Sequence, residues 1–577
     1  MEQHLTDNAS NILKVEGLKI SFQIDGTTNV AVNGISYTLT KGEVLGIVGE
    51  SGSGKSVSSL ALLKLIPTPP GRYDAGVVNF DNENINLLEL SERAIRPYRG
   101  KEIAMIFQEP MTSLNPSHRC GRQVAEMLEV HTDLDKKAIR TKVLDLFRQV
   151  KLPDPDRVYA AYPHELSGGQ LQRVMIAMAI SCQPKVLIAD EPTTALDVTV
   201  QKAIIDLLKE INVNSGNSTL FITHDLGVIN QIADKVMVMQ LGEVKEFGTV
   251  DQIFNNPQHP YTKGLIACRP PLDIRYKRLP TVQDFLDRPL ESHHEHVQSL
   301  VDTKANFESH LEDLNSKAII LEAKNLSKHY PVKKSFFGKT VKVLKAVDNV
   351  SFSIRKGECL GLVGESGCGK STLSKVLMCL DSATSGSVIF EGQDLFAMGR
   401  ENLRKLRKDF QMIFQDPYSS LNPRMTIGQA ITEPMNIHNV HANKKARKEN
   451  AIHLLEKVGL SADHFNRYPH QFSGGQRQRI CIARSIGLNP KFILCDESVS
   501  ALDVSVQAQV LNLLKDLKDE FDLSYLFISH DLSVVKFIAD HVMVMQHGQI
   551  VEQGDVETVI NNPSKEYTQM LVDSIPR

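Results

Sequence analysis

Val44-Leu45-Gly46-Ile47-Val48 leads into Gly49-Glu50-Ser51-Gly52-Ser53-Gly54-Lys55-Ser56, and SVSSLALLKLI follows from Ser56. The first run is apolar and of strand length, the second is a glycine-rich turn, and the third has helical periodicity. That order of strand, loop and helix is the context in which GxxxxGK[ST] reads as a phosphate cradle. Glycines let backbone N–H groups close around a phosphate, and the helix amino terminus adds positive partial charge. Lys55 supplies a full charge to the outer phosphates, and Ser56 a hydroxyl for Mg²⁺.

The pattern occurs twice. GESGSGKS at Gly49 returns as GESGCGKS at Gly364, after Leu360-Gly361-Leu362-Val363, with Ser366, Gly367, Gly369, Lys370 and Ser371 in the matching places. IFQEPMTSLNP at Ile106 returns as IFQDPYSSLNP at Ile413, LSGGQ at Leu166 as FSGGQ at Phe472, ADEPTTALD at Ala189 as CDESVSALD at Cys495, and FITHDL at Phe221 as FISHDL at Phe527. One offset relates Ser167 to Ser473, Asp190 to Asp496 and His224 to His530, and a longer one relates Gly49 to Gly364. The first half therefore carries extra residues between its first two motifs, assigned to a turn-rich surface loop at Pro67–Gly76. Two homologous domains lie in tandem. Their expected bounds are 12–272 and 319–577, joined by a polar linker at 273–318 with room for one helix.

Composition narrows the class. The chain has 577 residues with 65 Lys and Arg against 68 Asp and Glu, so charge alone does not drive it to nucleic acid. Its eight cysteines form no CxxC pair, which excludes a disulfide scaffold and fits a reducing setting. The amino terminus lacks the charged start and apolar core of a secretory signal, and no run of about 18 apolar residues could span a bilayer. His293-His294-Glu295-His296 reads as solvated linker rather than a zinc site, and Lys444-Lys445-Ala446-Arg447-Lys448 as a solvated helix face. Cys368 reads as a small residue that fits its loop, with redox regulation as the alternative.

Hydrolysis needs a second metal-side group and a residue for the water. Val186-Leu187-Ile188-Ala189-Asp190-Glu191 and Phe492-Ile493-Leu494-Cys495-Asp496-Glu497 each end an apolar strand in two carboxylates. There Asp can hold Mg²⁺ and Glu can polarise the attacking water.

With LSGGQ and FSGGQ in place, each half resembles the nucleotide-binding domain of an ATP-binding cassette transporter. The resemblance implies an α/β fold of two tandem P-loop ATPase domains. Each would be a RecA-like core with an antiparallel β subdomain and a helical subdomain, the latter near 112–183 and 418–489. It also implies that the signature loop of one half completes the ATP site of the other, so that no homodimer is needed for two sites. Site one would use Gly49, Ser51, Gly52, Gly54, Lys55, Ser56, Gln108, Asp190, Glu191 and His224 with Ser473, Gly474, Gly475 and Gln476. Site two would use Gly364, Ser366, Gly367, Gly369, Lys370, Ser371, Gln415, Asp496, Glu497 and His530 with Ser167, Gly168, Gly169 and Gln170. By the same resemblance Glu191 and Glu497 are catalytic with His224 and His530 as γ-phosphate switches. Ser56, Gln108 and Asp190, and Ser371, Gln415 and Asp496, are the Mg²⁺ side, while Asp197 and Asp503 couple the sites. Phe22 and Tyr330 are the candidates for adenine stacking, with ordinary core packing as the alternative. Phe472 in place of the signature Leu, and Ser498-Val499 in place of Pro192-Thr193, remove no donor, ligand or base.

QEPMTSLNP, QDPYSSLNP and the closing segments NNPQHPYTKGLIACRPPL at Asn255 and NNPSKEYTQMLVDSIP at Asn561 resemble the bacterial oligopeptide, dipeptide and nickel importer subfamily. Those closing segments also read as plain tail packing. Some relatives bind an iron–sulfur centre after HPYT, but only Cys268 lies there. The resemblance implies an ATPase coupled to uptake of peptides or related small solutes. Its partners would be two integral-membrane permease subunits and an extracytoplasmic substrate-binding protein, with the chain held peripherally at the cytoplasmic face of the inner membrane and no nucleic acid bound. A soluble twin-cassette ATPase acting on ribosomes or nucleic acid is the competing class.

Overall fold

The computed structural model of the chain describes residues 11–24, 26–81, 85–194, 196–334 and 340–575. They form two compact units, one holding residues through Leu196 and Val200–Ile266, the other Asp197–Thr199 and Ala267–Ile575.

In the first unit a six-stranded sheet runs in the order Ile103–Ile106, Val186–Asp190, Ser218–Ile222, Val44–Val48, Lys235–Gln240, Glu243–Thr249. Its first five strands are parallel and the last is antiparallel. Every residue of Val44–Val48, Val186–Asp190 and Ser218–Ile222 is buried, which is why these strands read as unbroken apolar runs rather than alternating ones. Beside it lies an antiparallel sheet in the order Thr27–Thr40, Asn11–Ile24, Gly71–Phe80. Its inward residues Leu13, Val15, Leu18 and Ile20 join Leu45, Ile47 and Leu220 in one core. Helices Cys120–His131, Lys136–Gln149 and Gly168–Ile180 form the helical subdomain, within the expected span.

The second unit repeats the plan. Its six-stranded sheet runs Phe410–Ile413, Phe492–Asp496, Ser524–Ile528, Cys359–Val363, His541–Gln546, Gln549–Asp555. Its antiparallel sheet ends in the short strand Gln393–Asp394, and helices Ile427–Ile437, Lys444–Lys457 and Gly474–Ile486 form the helical subdomain. The α/β class and the tandem cassettes hold. The extra residues of the first half are placed differently from the expectation. Only Pro67–Pro70 turn, and Gly71–Gly76 lengthen a strand to ten residues where the second unit has six in Ser385–Phe390.

The stretch expected as a polar linker with room for one helix is instead folded onto the second unit. It contains helices Val282–Leu286, His293–Ser299 and Lys304–Ser316. Asn512 accepts from the Leu279 N–H at 2.8 Å and donates to the Leu279 carbonyl at 2.9 Å, both buried. The Arg275 guanidinium lies 3.8 Å from the Phe307 ring and caps helix Leu532–Ile538 by donating to the carbonyls of Lys536 and Ala539. His310 and Lys518 both meet the buried Asp540 carboxylate, at 3.1 Å each. Composition could not reveal this, because the polar residues that suggested solvation pair with buried groups of the second unit. Of the histidine cluster, His294 is exposed and the other two histidines pack. His293 stacks edge-on against Phe285 and His296 faces Asp284. No group of three or more metal-ligating side chains occurs among the described residues. Nor is any described helix long and apolar enough to cross a membrane.

The two units differ at one matching ion pair. Lys235 Nζ lies 2.7 Å from Glu43 in the first, whereas His541 Nδ1 lies 2.8 Å from Glu358 in the second. The hydrogen bond to Glu358, opposed by partial burial, raises the His541 pKa above its ordinary value. A raised folded pKa makes the contribution complete below the unfolded value of about 6.5, and it is lost as pH rises through the folded value. Urea unfolding followed by circular dichroism should therefore show a loss on the order of 1 kcal/mol between about pH 6 and about pH 9. His541→Lys should flatten that dependence; an unchanged slope in the variant would count against the assignment.

Candidate nucleotide-binding sites

Each phosphate loop begins where a central strand ends and a helix starts, at Lys55–Leu62 and Lys370–Leu377. The loop can be this tight only with glycine. Gly54 has φ of 98°, and a Cβ there would sit 2.4 Å from the Ala31 carbonyl oxygen; Gly369, at 117°, would place one 2.1 Å from that of Ala346. Lys55 is buried and its ammonium donates to the carbonyls of Gly49 at 2.7 Å and Glu50 at 2.9 Å. Lys370 makes the same pair of bonds to Gly364 and Glu365, at 2.7 and 3.0 Å. The lysine thus closes the loop around itself and holds its charge at the mouth of the helix.

The carboxylates come from the neighbouring strand but one. Ser56 Oγ donates to Asp190 at 3.0 Å, so hydroxyl and carboxylate meet in one place although far apart in sequence. Burial, with Glu191 adding to it, pushes the Asp190 carboxyl up to about 6. Burial and Glu497 do the same to Asp496, also to about 6. Glu191 goes the other way. Burial would raise it, but the His224 ring, the Thr194 hydroxyl and the Lys55 ammonium outweigh that and hold it down at about 2. One oxygen, Oε2, takes the Gln108 amide at 2.8 Å, Thr194 at 2.9 Å and His224 at 3.3 Å. In the second unit Glu497 Oε2 takes Gln415 at 2.8 Å with His530 at 3.7 Å, and Lys370 Nζ lies 3.9 Å from Oε1. Glu497 is likewise lowered, burial being outweighed by His530 and Lys370.

Lysine, serine, aspartate, glutamate, glutamine and histidine of each half, singled out from four separate motifs, are thereby gathered around one loop. Ser167 and Ser473 cap helices Gly168–Ile180 and Gly474–Ile486 in reciprocal boxes with Gln170 and Gln476. Gly169 and Gly475 lie so close to Val200 and Val506 that a Cβ would stand 2.7 and 2.4 Å from a methyl group. Asp197 accepts from the Thr199 hydroxyl at 2.8 Å, and Asp503 precedes helix Val504–Phe521. Phe22 is half-buried against the core and pairs across the sheet with Gly71. Tyr330 is tied at its hydroxyl to Asp381 at 2.7 Å, with Lys328 4.9 Å from its ring. Phe472 is buried edge-on against His464. Cys368 is buried 4.0 Å from Lys370, and burial pushes its thiol up, which keeps it in the unreactive protonated form and favours the plain reading of a small residue that fits.

Two features escaped the sequence. Glu191 and Glu497 have left-handed backbones, at φ of 46° and 45°, a strain of about 1–3 kcal/mol each that turns the carboxylate off the strand toward the loop. Thr194 was not singled out either. Its one sequence signal is a hydroxyl residue three places after the glutamate in both halves, with Ser500 matching it and donating to the Glu497 carbonyl at 2.9 Å.

Comparison with known proteins agrees with this geometry. Residues 32–194 and 347–500 match the ABC transporter family. Residues 245–293 and 551–577 match the oligopeptide/dipeptide transporter C-terminal region. The chain belongs to the ABC transporter family. Among its relatives, the glutathione import ATP-binding protein GsiA of Escherichia coli strain K12 is 45% identical over 578 residues, covering 99% of this chain and 90% of that one. The protein of the same name from Pectobacterium atrosepticum is 44% identical over 571 residues, covering 98% and 89%. That from Salmonella typhimurium is 46% identical over 575 residues, covering 99% and 90%. These matches support the importer class over the soluble nucleic-acid alternative.

Gly54→Ala should displace the loop against Ala31, at a strain of about 1–2 kcal/mol, and abolish tight ATP binding at the first loop. Calorimetric titration with ATP should then find only the second loop saturable, and Gly369→Ala the reverse; full binding by either variant would show that the loop tolerates a Cβ.

Proposed function

We propose that this chain is the ATP-hydrolysing subunit of an importer that takes up short peptides of the glutathione class. The observation that carries this reading is the complete Lys, Ser, Asp, Glu, Gln and His set around each of two phosphate loops, joined to closing segments of the oligopeptide transporter type. The relatives named above supply the class of cargo.

The chemistry follows from the residues. Gln108, Ser56 and Asp190 offer hard oxygen donors beside the loop, a set that suits Mg²⁺, and Gln415, Ser371 and Asp496 match them in the second half. Mg²⁺ bound there would neutralise charge on the phosphates. Glu191, kept ionised by His224 and Lys55, would orient and polarise the attacking water. Phosphoryl transfer with a loose transition state needs little more. His224 and Gln108 share one oxygen of Glu191, and His224 would contact the γ-phosphate and Gln108 the metal side, with His530 and Gln415 matching them. Phe22 and Tyr330 would stack on adenine. Ser473 to Gln476 would complete the first site and Ser167 to Gln170 the second, with Asp197 and Asp503 coupling them, so that one chain suffices for both. Closure on ATP would drive two membrane permeases fed by an extracytoplasmic binding protein, with this chain peripheral at the cytoplasmic face.

Glu191→Gln and Glu497→Gln should each lower steady ATP hydrolysis while leaving ATP binding intact, and the double variant should lose about 10²–10⁴-fold. Loss of all activity in one single variant and none in the other would refute two working sites. Purification from gently solubilised membranes should bring down two polytopic proteins, and labelled glutathione uptake should fail in the double variant. Ribosomes or nucleic acid in their place would overturn the importer.

A further inference from the structure

The closing segments are singled out by sequence, yet hydrolysis as described makes no use of them. Both halves keep a tyrosine and threonine there, as His259-Pro260-Tyr261-Thr262 and Lys565-Glu566-Tyr567-Thr568, while the residues before them differ. Tyr261 is fully buried in helix Pro260–Ala267, and its phenol oxygen accepts a hydrogen bond from the Glu50 backbone N–H at 3.2 Å. Tyr567, buried in helix Glu566–Asp573, accepts one from the Glu365 N–H at 3.1 Å. Glu50 and Glu365 are the second residues of the two phosphate loops.

Each tyrosine is itself held in place. Glu246, on the last strand of the first sheet, accepts from the N–H groups of Gln258 at 2.7 Å and His259 at 3.1 Å, fixing the start of the helix that carries Tyr261. Glu552, on the matching strand, accepts from the N–H and the hydroxyl of Ser564, at 2.7 Å each. A strand glutamate thus anchors a helix, and the helix aims a phenol at the loop.

The peptide so held is also the one that the lysine grips. The Glu50 N–H is taken by Tyr261 while its carbonyl is taken by Lys55, and Glu365 stands between Tyr567 and Lys370 in the same way. We propose that Tyr261 and Tyr567 are positioning residues of the two ATP sites, setting the loop and its lysine in the phosphate-binding shape before ATP arrives. These N–H groups are partly shielded from water, and leaving one without its phenol partner costs stability, so removing the phenol oxygen frees the loop to seek other shapes. ATP must then order the loop as it binds, which weakens binding but leaves the reaction at Glu191 or Glu497 unchanged once the site is filled.

The proposal rests on ATP binding at these loops, and the experiment separates the two. In the full wild-type chain without nucleotide, hydrogen exchange should find the Glu50 and Glu365 amides protected; rapid exchange there overturns the proposal without any variant. Tyr261→Phe and Tyr567→Phe keep the ring and its packing. Assayed with Mg-ATP in the intact transporter, each should raise the KM for ATP at its site about 5–10-fold, with kcat within about two-fold, and should speed exchange of the loop amide. A lowered melting temperature with unchanged KM would mean packing only, and a fall in kcat at unchanged KM would place the phenol in the reaction; either result overturns the proposal. Failure of the wild-type chain to bind ATP would instead remove the reading on which it stands.

Discussion

A buried ammonium inside a loop of carbonyl oxygens is the interaction on which each half depends. Lys55 and Lys370 are buried positive charges, and such a charge is tolerated only where oxygens surround it. The loop supplies those oxygens from its own first two residues, and it can fold back that far because Gly54 and Gly369 pass within touching distance of Ala31 and Ala346. The central strand, the following helix and the antiparallel sheet are therefore locked to one another at the point where charge is concentrated. The carboxylates of Asp190 and Glu191, and of Asp496 and Glu497, face that charge from a neighbouring strand end.

Adjacent carboxylates in each half are given opposite tendencies by their surroundings. Asp190 and Asp496 are raised, chiefly by burial, whereas Glu191 and Glu497 are lowered by histidine and lysine despite burial. The first suits a group that waits for a cation, the second a group that remains ionised beside water. Neighbours on a regular strand would point to opposite faces, and left-handed backbone at the glutamate instead turns its carboxylate toward the loop that the aspartate also faces.

The two halves are not copies in every contact. A lysine–glutamate pair in the first becomes a histidine–glutamate pair in the second, and the second carries the folded 273–318 stretch against its helices Val504–Phe521 and Leu532–Ile538. Nothing in the polar, histidine-rich composition of that stretch marked it as packed. Its anchors are Asn512, Asp540 and the carbonyls at the end of helix Leu532–Ile538, more than two hundred residues away. The tyrosines at the loops were hidden for the same reason, since a hydrogen bond between residues about two hundred apart leaves no periodicity and no local motif.

The sequence by itself determined the class of fold, the doubling, and the identity of nearly every residue gathered at the loops. Phosphate and metal chemistry demand particular residue types at fixed spacing, and that demand is written locally. Only the tertiary structure decided which groups share one glutamate oxygen, which strand end turns out of line, that the supposed linker is packed against helices of the second unit, and that the closing tyrosines reach the loops. Those outcomes depend on burial and on distances between segments remote in the chain, and burial is a property of the folded whole.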